Sequence, residues 1–568
     1  MSVLGKKWII ESRDEAKPIL DILLENRGLN TKEEKAEFLD ANDASEFHDP
    51  FLMRDMQKSV DRIMKAIENK ERIIIFGDYD VDGLTSAAIL FHALKRLKAN
   101  HSVRLPNREK DGYGLSMPFI EEFKGIEIKL IITVDCGISC SKEIAYASQN
   151  GIDTIITDHH QVPEEPPKDA YSINHPKQKN CTYPFEELTG AGVALKLAHA
   201  LFIHNLGNED AKKEIEPLIE LAALGTIADI GILKGENRLI VKKGLKNLLK
   251  TSSPGLKILK DLAGFSEFEN KEISTTMVGY QMAPRINAAG RIGDPYIALK
   301  LLIGENQKDL LKYGKELDEL NRRRQEMTGQ SFLKAIEKFA KLEQNSMLPF
   351  VLIESHPDWH VGIIGLTASK LAERFNRPAM IMQDLGDTLV GSARSIESFN
   401  VIEAISAHKH HLTSFGGHKE AAGFTMKKSA FAKFKKEMEK FAESKLKNED
   451  LRKSLKIDCE IQPEKISESL INDIYKLKPF GSSNSRPIFV LKNIKPNFIE
   501  TVGRNADHVK FEAEINGKNI PVIGFRLGEH SQELRKHKSL NMACHVDFNE
   551  WNGSKKIQLE LVDFEQNC

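Results

Sequence analysis

Cysteine is scarce in this chain: six residues are scattered over 568, and only Cys136 and Cys140 lie close together. No second cysteine pair or His-x-His partner completes a zinc site around them, so they read as ordinary thiols of a reducing compartment. Net charge is all but missing, since 81 Lys and Arg stand against 82 Asp and Glu, leaving −1. Any polyanion must therefore be held by local basic patches and not by the total. No apolar run reaches bilayer length and the N-terminus has no signal-peptide core, which predicts a cytoplasmic protein with no membrane partner. Internal repeats and low-complexity tracts are lacking too. What is present, 41% hydrophobic and 29% charged residues, is the composition of a globular protein, and the length predicts three or four domains.

Residues 1–60 read as a helical and loop-like segment with no chemical signature. From Arg72, short β-branched runs alternate with helices: Ile73–Phe76 then Leu84–Leu97, Ser102–Leu105, Lys129–Val134 then Ser141–Gln149, and Asp153–Thr157. That alternation predicts a parallel α/β sheet in a unit spanning 61–305, whose stretch 190–300 is mostly helical. A long polar helix is predicted over 306–346, with Leu310, Tyr313, Leu317, Leu320, Ile336 and Phe339 as apolar positions. Such a helix bridges two domains or packs on one. A second α/β unit follows over 347–448, and the short strands of 454–568 predict a small β-barrel. The fold class is α/β: a parallel-sheet domain joined by a long helix to a second α/β domain, then an OB-fold-like barrel.

The stretch "FGDYDVDG" places Asp78, Asp80 and Asp82 at alternate positions before Gly83, as an EF-hand loop begins. The twelfth loop position is Ile89, which ligates nothing, and a strand precedes the loop where a calcium site needs a helix. Two further strands end in the same chemistry: "KLIITVD" on Asp135, and "DTIITD" on Asp158, His159 and His160. Asp229 in "ADIGIL" is a fourth candidate. Open α/β sheets bind ligands beyond the carboxyl ends of their strands. Two like charges 4 Å apart repel by about 4 kcal/mol at an effective dielectric of 20, so clustered carboxylates call for neutralising cations. Oxygen ligands with one or two imidazoles suit Mn2+ or Mg2+, and a metal pair about 3.5–4 Å apart is the usual device for phosphoester hydrolysis. Singly, Asp135 or Asp158 reads as a helix N-cap as readily as a ligand, and the His pair as a hydrogen-bonded feature. Three strand ends together favour the metal reading.

"GDYDVDG", "VDCGIS", "TDHH" and "ADIGIL" resemble the four motifs of the DHH phosphoesterase superfamily. "LPNREKDGYGL", "APRINAAGRIGD", "WHVGIIGLTASKLAER", "GSARS", "GGHKEAAGF" and "KPFGSSNSRPIF" extend the resemblance to its single-stranded-DNA exonuclease branch, over roughly residues 45 to 565. The resemblance implies a metal-dependent 5′→3′ exonuclease that converts single-stranded DNA to mononucleotides in repair and recombination. It implies two divalent cations, Mn2+ or Mg2+, held by Asp80, Asp82, Asp135, His159 and Asp229, with Asp135 bridging and Asp78 completing the set. His160 would sit near the scissile phosphate. Arg108, Arg285, Ser392 and Arg394 would hold phosphates, with Asn287 beside them among small residues, and His418 would lie close to the nucleotide. Single-stranded DNA would thread the cleft between the two α/β domains, and a single-strand-binding protein and a helicase are the implied protein partners. Where relatives carry Gly-Asn-Pro-Glu-Pro, this chain reads Ser483, Asn484, Ser485, Arg486, Pro487, a departure that touches the loop and not the chemistry. Two rivals stand beside this reading. One is an oligoribonuclease, a cyclic-dinucleotide phosphodiesterase or a pyrophosphatase of the same superfamily, which would lack the barrel; the other is a structural subunit, which would have lost metal ligands.

Overall fold

The computed structural model describes residues 2–14, 16–40, 47–108, 111–112, 114–265, 272–515, 517–551 and 554–566. Glu109, Lys110 and Tyr113 of the predicted "LPNREKDGYGL" motif lie outside them, as do the side chain of Trp551 and Cys568. The chain divides into two compact units, residues 42–451 and the pair of segments 1–41 and 452–568.

The first strand, β1 (Lys7–Ser12), corrects the reading of residues 1–60 as helical and loop-like. It pairs in parallel with β12 (Ser454–Glu460), so the N-terminal segment belongs to the C-terminal unit. Its burial alternates along KWIIES, the period of a half-covered strand, but a six-residue run carries too little pattern to be told from loop.

Unit 42–451 holds two sheets. In the first, β2 (Ile73–Gly77), β3 (His101–Arg104), β4 (Leu130–Val134), β5 (Asp153–Thr157) and β6 (Ser172–Asn174) run all parallel in the order β3-β2-β4-β5-β6. Ile73 and Ile75 enter one apolar cluster while Ile74 and Phe76 enter another across the sheet. Both faces are covered, which is why these strands read as unbroken apolar runs. The chain goes from β2 out to β3 and returns past β2 to β4, so the switch point of this sheet lies between β2 and β4. The following helix begins at Val81, three residues earlier than the predicted Leu84, because Asp80 is its N-cap and accepts a hydrogen bond from Gly83 N at 3.1 Å.

A 38-residue helix, Gln307–Gln344, is capped by Asn306 and bridges two cores. Leu310 and Leu317 pack into the first-sheet core, whereas Ala335 and Phe339 pack with Leu371 and Phe375 of the second domain. There β7 (Leu352–His356), β8 (Ala379–Asp384), β9 (Thr388–Arg394), β10 (Leu412–Gly417) and β11 (Ala421–Lys427) form a mixed sheet in the order β10-β11-β9-β8-β7.

In the other unit, β13 (Phe489–Val502), β14 (His508–Ile515), β15 (Lys518–Gly524), β16 (Leu540–Trp551) and β17 (Ser554–Gln566) close into a barrel through the β13–β16 pairing. Phe489 and Phe511 are core residues, while Phe498 and Phe525 face solvent. Ser483 takes the left-handed region at φ 58°, where a glycine would be unstrained, and Asn484 is buried with its Oδ1 accepting from Arg27 Nε at 2.7 Å. Among the described residues, no helix is long and apolar enough to cross a membrane.

Candidate metal centre and phosphate grip

The parallel strands end level with one another: Gly77 pairs with Val134, and Val134 with Thr157. The next residues, Asp78, Asp135 and Asp158, therefore share one rim at the switch point. The donor atoms there form overlapping triads, each with all members within 4.8 Å: Asp78, Asp80 and Asp135; Asp82, His159 and Asp229; and Asp135, His159 and His160. Asp135 sits between the first two, its Oδ1 3.1 Å from His159 Nε2. That nitrogen is also 3.8 Å from carboxylate oxygens of Asp82 and Asp229. Asp135 Oδ1 and His159 Nε2 are buried, and neither has a hydrogen-bond partner. Buried lone pairs left unsatisfied cost about 1–3 kcal/mol each, so two of them facing each other fit a cation between them.

Electrostatics agrees with the geometry. Burial, then the charge of Asp80, pushes the Asp78 carboxyl up to about 8. Burial and Asp229 push Asp82 up to about 7, and burial and Asp80 push Asp229 up to about 7. Asp135 is raised by burial and by Asp82, Asp80, Asp78 and Asp229 together, while burial lowers His159. Without positive charge this cluster is held together against its own repulsion. The donor set, five carboxylates and one imidazole, suits Mn2+ or Mg2+.

The backbone is shaped to place these groups. Asp135 takes the left-handed region at φ 58°, uncommon for a residue with a Cβ and here over-determined by its packing. Asp82 accepts hydrogen bonds from Gly190 N at 2.7 Å and Ala191 N at 2.9 Å, at the start of the helix Gly190–Leu206. Two glycines, neither singled out by the sequence, leave room for the carboxylates. A Cβ on Gly190 would stand 2.6 Å from Asp135 Oδ1, and one on Gly225 would stand 2.6 Å from Asp82 Oδ1.

Asp158 is at the rim but turned away from the triads. Its Oδ1 accepts from His159 N, His160 N and His160 Nδ1, the last at 2.7 Å, and its Oδ2 accepts from Ile138 N at 3.0 Å. Although burial works the other way, the His160 hydrogen bond and charge hold Asp158 down at about 2. Against its own burial, the same pair raises His160 to about 9. His175, unremarked in the sequence, fixes the turn by bonding the His160 carbonyl through Nε2 at 2.8 Å.

Of the predicted phosphate ligands, Arg108 lies 4.4 Å over the Tyr79 ring and Arg394 bonds Ser392 Oγ at 3.0 Å. Burial and the neighbouring Arg108 lower Arg394, and burial with Arg108, Arg394 and Arg324 lowers Arg291 to about 10. Four guanidiniums thus crowd one region, and Arg291 and Arg324 were not foreseen. Arg285 and Asn287 have partners within the protein. Arg285 Nε is spent on Asp318 Oδ1 of the long helix at 3.0 Å, and Asn287 Oδ1 accepts from Val81 N at 3.3 Å, propping the acidic loop. Both lie on the helix Ala283–Ile292, where positions two apart point nearly opposite ways and positions four apart share a face. Asn287 and Arg291 therefore face the loop together, a spacing legible in "RINAAGR". Gly290 completes the approach, since a Cβ there would meet Tyr79 O at 2.4 Å. His418 lies in the exposed turn after β10, its Nδ1 2.8 Å from Glu420.

Family models match along the chain: DHH family, N-terminal domain, at 72–226; DHHA1 domain at 348–444; and RecJ OB domain at 457–563. The single-stranded-DNA-specific exonuclease RecJ of Bacillus subtilis is 37% identical over 98% of this chain and 70% of its own length. That of Salmonella typhimurium is 31% identical over 89% of this chain and 90% of its own. The structure of RecJ from Thermus thermophilus with Mn2+ superposes with a TM-score of 0.83 at 27% identity, covering 99% of this chain and 80% of that one. The Mg2+ complex of the same protein gives 0.76 at 26% identity, covering 99% and 79%. In-register strand ends, three domain matches in order and similarity across nearly all of its length agree: the chain belongs to the RecJ family of DHH proteins.

Proposed function

We propose that this chain is a metal-dependent exonuclease that hydrolyses the phosphodiester bonds of single-stranded DNA from the 5′ end, releasing mononucleotides in repair and recombination. The observation that carries this reading is the pair of neighbouring donor triads linked through Asp135 and His159, whose Oδ1 and Nε2 are buried and without hydrogen-bond partners. Asp78, Asp80 and Asp135 would hold one divalent cation, and Asp82, His159 and Asp229 the other, with Asp135 and His159 linking the two sets; Mn2+ and Mg2+ are the ions found on the Thermus relative. When bound, such a pair supplies activated water and charge neutralisation for in-line displacement at phosphorus.

The chain's own residues orient the substrate. Asp158 fixes the His160 ring beside the scissile phosphate. Arg394 with Ser392, Arg108 and Arg291 grips phosphate oxygens, because guanidiniums that repel one another are relieved by a polyanion. His418 reaches the nucleotide from its hairpin turn. The barrel holds the longer strand, with Phe498 and Phe525 offering exposed faces for base stacking. A phosphodiesterase of short or cyclic nucleotides would leave the barrel without work, and a structural subunit would not retain the full ligand set. By family resemblance the setting is the cytoplasm, and the protein partners are a single-strand-binding protein and a helicase.

The test is digestion of 5′- and 3′-end-labelled single strands, duplex and RNA with Mg2+, Mn2+ or EDTA. The expected result is mononucleotide release from the 5′ end of single-stranded DNA only with metal, absent in Asp135→Ala. Turnover in EDTA, or undiminished turnover by Asp135→Ala in saturating Mn2+, would overturn the assignment.

A further inference from the structure

A second cluster of donors lies in the other α/β domain. The short turn Lys409–His411 precedes β10, and the helix Phe431–Leu446 packs beside it. His411 Nε2 is 2.8 Å from Glu437 Oε2, and His410 Nε2 is 3.5 Å from the same oxygen. The two imidazole rings are 4.0 Å apart, and all three donor atoms lie within 4.8 Å of one another.

The cluster is built rather than draped. His411 is nearly buried, its side chain 7% exposed, and its ring meets the edge of the buried Phe434, one helical turn from Glu437. His411 N bonds the His408 carbonyl at 3.0 Å, and His408 Nδ1 bonds the Ala404 carbonyl at 2.7 Å, so the turn is pinned from below. Glu437 is held below its usual carboxylate range by the hydrogen bond from His411, with the charges of Lys433 and His410 acting in the same sense. The second imidazole brings its Nε2 to 3.5 Å from the same oxygen, so that three donor atoms converge on one point.

We propose that His410, His411 and Glu437 form a separate transition-metal site, taking Zn2+ or a neighbouring imidazole-seeking ion. Two imidazoles and one carboxylate with an open solvent side make a three-ligand zinc set. Nitrogen donors also separate it from the oxygen-rich centre, which favours Mg2+ and Mn2+. Bound there, the ion ties the root of β10 to the helix Phe431–Leu446, and β10 leads directly to Gly416, Gly417 and His418. This inference does not depend on the nuclease assignment.

The experiment is equilibrium dialysis of the full-length protein against Zn2+ in excess Mn2+, with bound metals counted by mass spectrometry. His410→Ala with Glu437→Gln is the comparison, one change at an exposed side chain and the other preserving shape and hydrogen bonding. The wild type is expected to retain about one equivalent of Zn2+ more than the double variant, with nitrogen neighbours at about 2.0–2.1 Å in zinc-edge absorption. Both proteins are expected to keep the same Mn2+-dependent activity. Equal Zn2+ in the two proteins, or a zinc edge showing only oxygen, would overturn the site.

Discussion

Gly190→Ala tests the metal centre through a residue that ligates nothing. Gly190 opens the helix Gly190–Leu206, and on helix propensity alone alanine should stabilise by about 1 kcal/mol. In place, its Cβ would stand 2.6 Å from Asp135 Oδ1, 2.7 Å from Asp135 Cβ and 2.8 Å from Asp135 Cγ, so an ordinary contact of about 3.4 Å or more demands a shift near 0.8 Å. Neither partner yields easily. Asp135 is buried, left-handed and bonded through its N to Thr157 O at 3.0 Å, and Gly190 N is bonded to Asp82. Overpacking costs about 1–3 kcal/mol, so net stability should fall by about 0–2 kcal/mol and the protein should stay folded. The carboxylates, however, move by much of an ångström, and a misplacement of that size costs on the order of 100-fold in rate. Gly192→Ala is the control: in the same helix, its Cβ meets only the Leu188 side chain, Cδ2 nearest at 3.0 Å, and no carboxylate. Nucleotide release from labelled single-stranded DNA in saturating Mn2+, read beside urea denaturation, is the assay. Wild-type kcat for Gly190→Ala, or equal losses for both variants, would refute the reasoning.

Arg394→Ala should raise KM for single-stranded DNA, with Arg394→Lys recovering only part because the planar fork is lost; equal activity of all three at sub-saturating substrate would make Arg394 a bystander. Arg291→Ala should weaken DNA binding, whereas Arg285→Ala, which breaks the pair with Asp318, should leave binding affinity unchanged and lower the urea midpoint; the reverse ranking in a filter-binding titration would restore the sequence-based assignment. Glu220 is buried against Thr251 Oγ1 at 2.8 Å, and burial raises its carboxyl from 4.5 to about 7. Between those values the folded state binds more protons than the unfolded one, so stability falls as pH rises, with a slope approaching about 1.4 kcal/mol per pH unit, and is flat above the folded value. Glu220→Gln should remove that slope; urea midpoints with unchanged pH dependence would count against it. A chain of residues 42–451, leaving out both segments of the barrel unit, should still cleave very short oligonucleotides but hold long single strands weakly, with a shallower salt dependence. Equal behaviour on long and short substrates would make the barrel a protein-docking element.

The sequence by itself determined the strand-ending acids. Ile73–Phe76, Lys129–Val134 and Asp153–Thr157 are local, β-branched and buried on both faces, and a side chain placed just after such a strand is placed at the sheet's carboxyl edge. The long helix was legible from helical spacing of apolar residues over many turns, and the barrel from its succession of short strands. What needed tertiary structure was every choice between faces and partners. Arg285 and Arg291 share one motif, yet only packing against Tyr79 and the long helix decides which of them meets Asp318 and which joins the arginine cluster. Asp158 and Asp135 follow equivalent strands, but one spends its oxygens on backbone N–H groups and His160 while the other turns a bare Oδ1 toward His159. β1 found its partner 447 residues away in register, Lys7 opposite Ser454, and six residues of alternation do not name a partner. Propensity and periodicity act within a few residues of chain, whereas hydrogen-bond satisfaction and close packing are settled between segments that only the folded chain brings together.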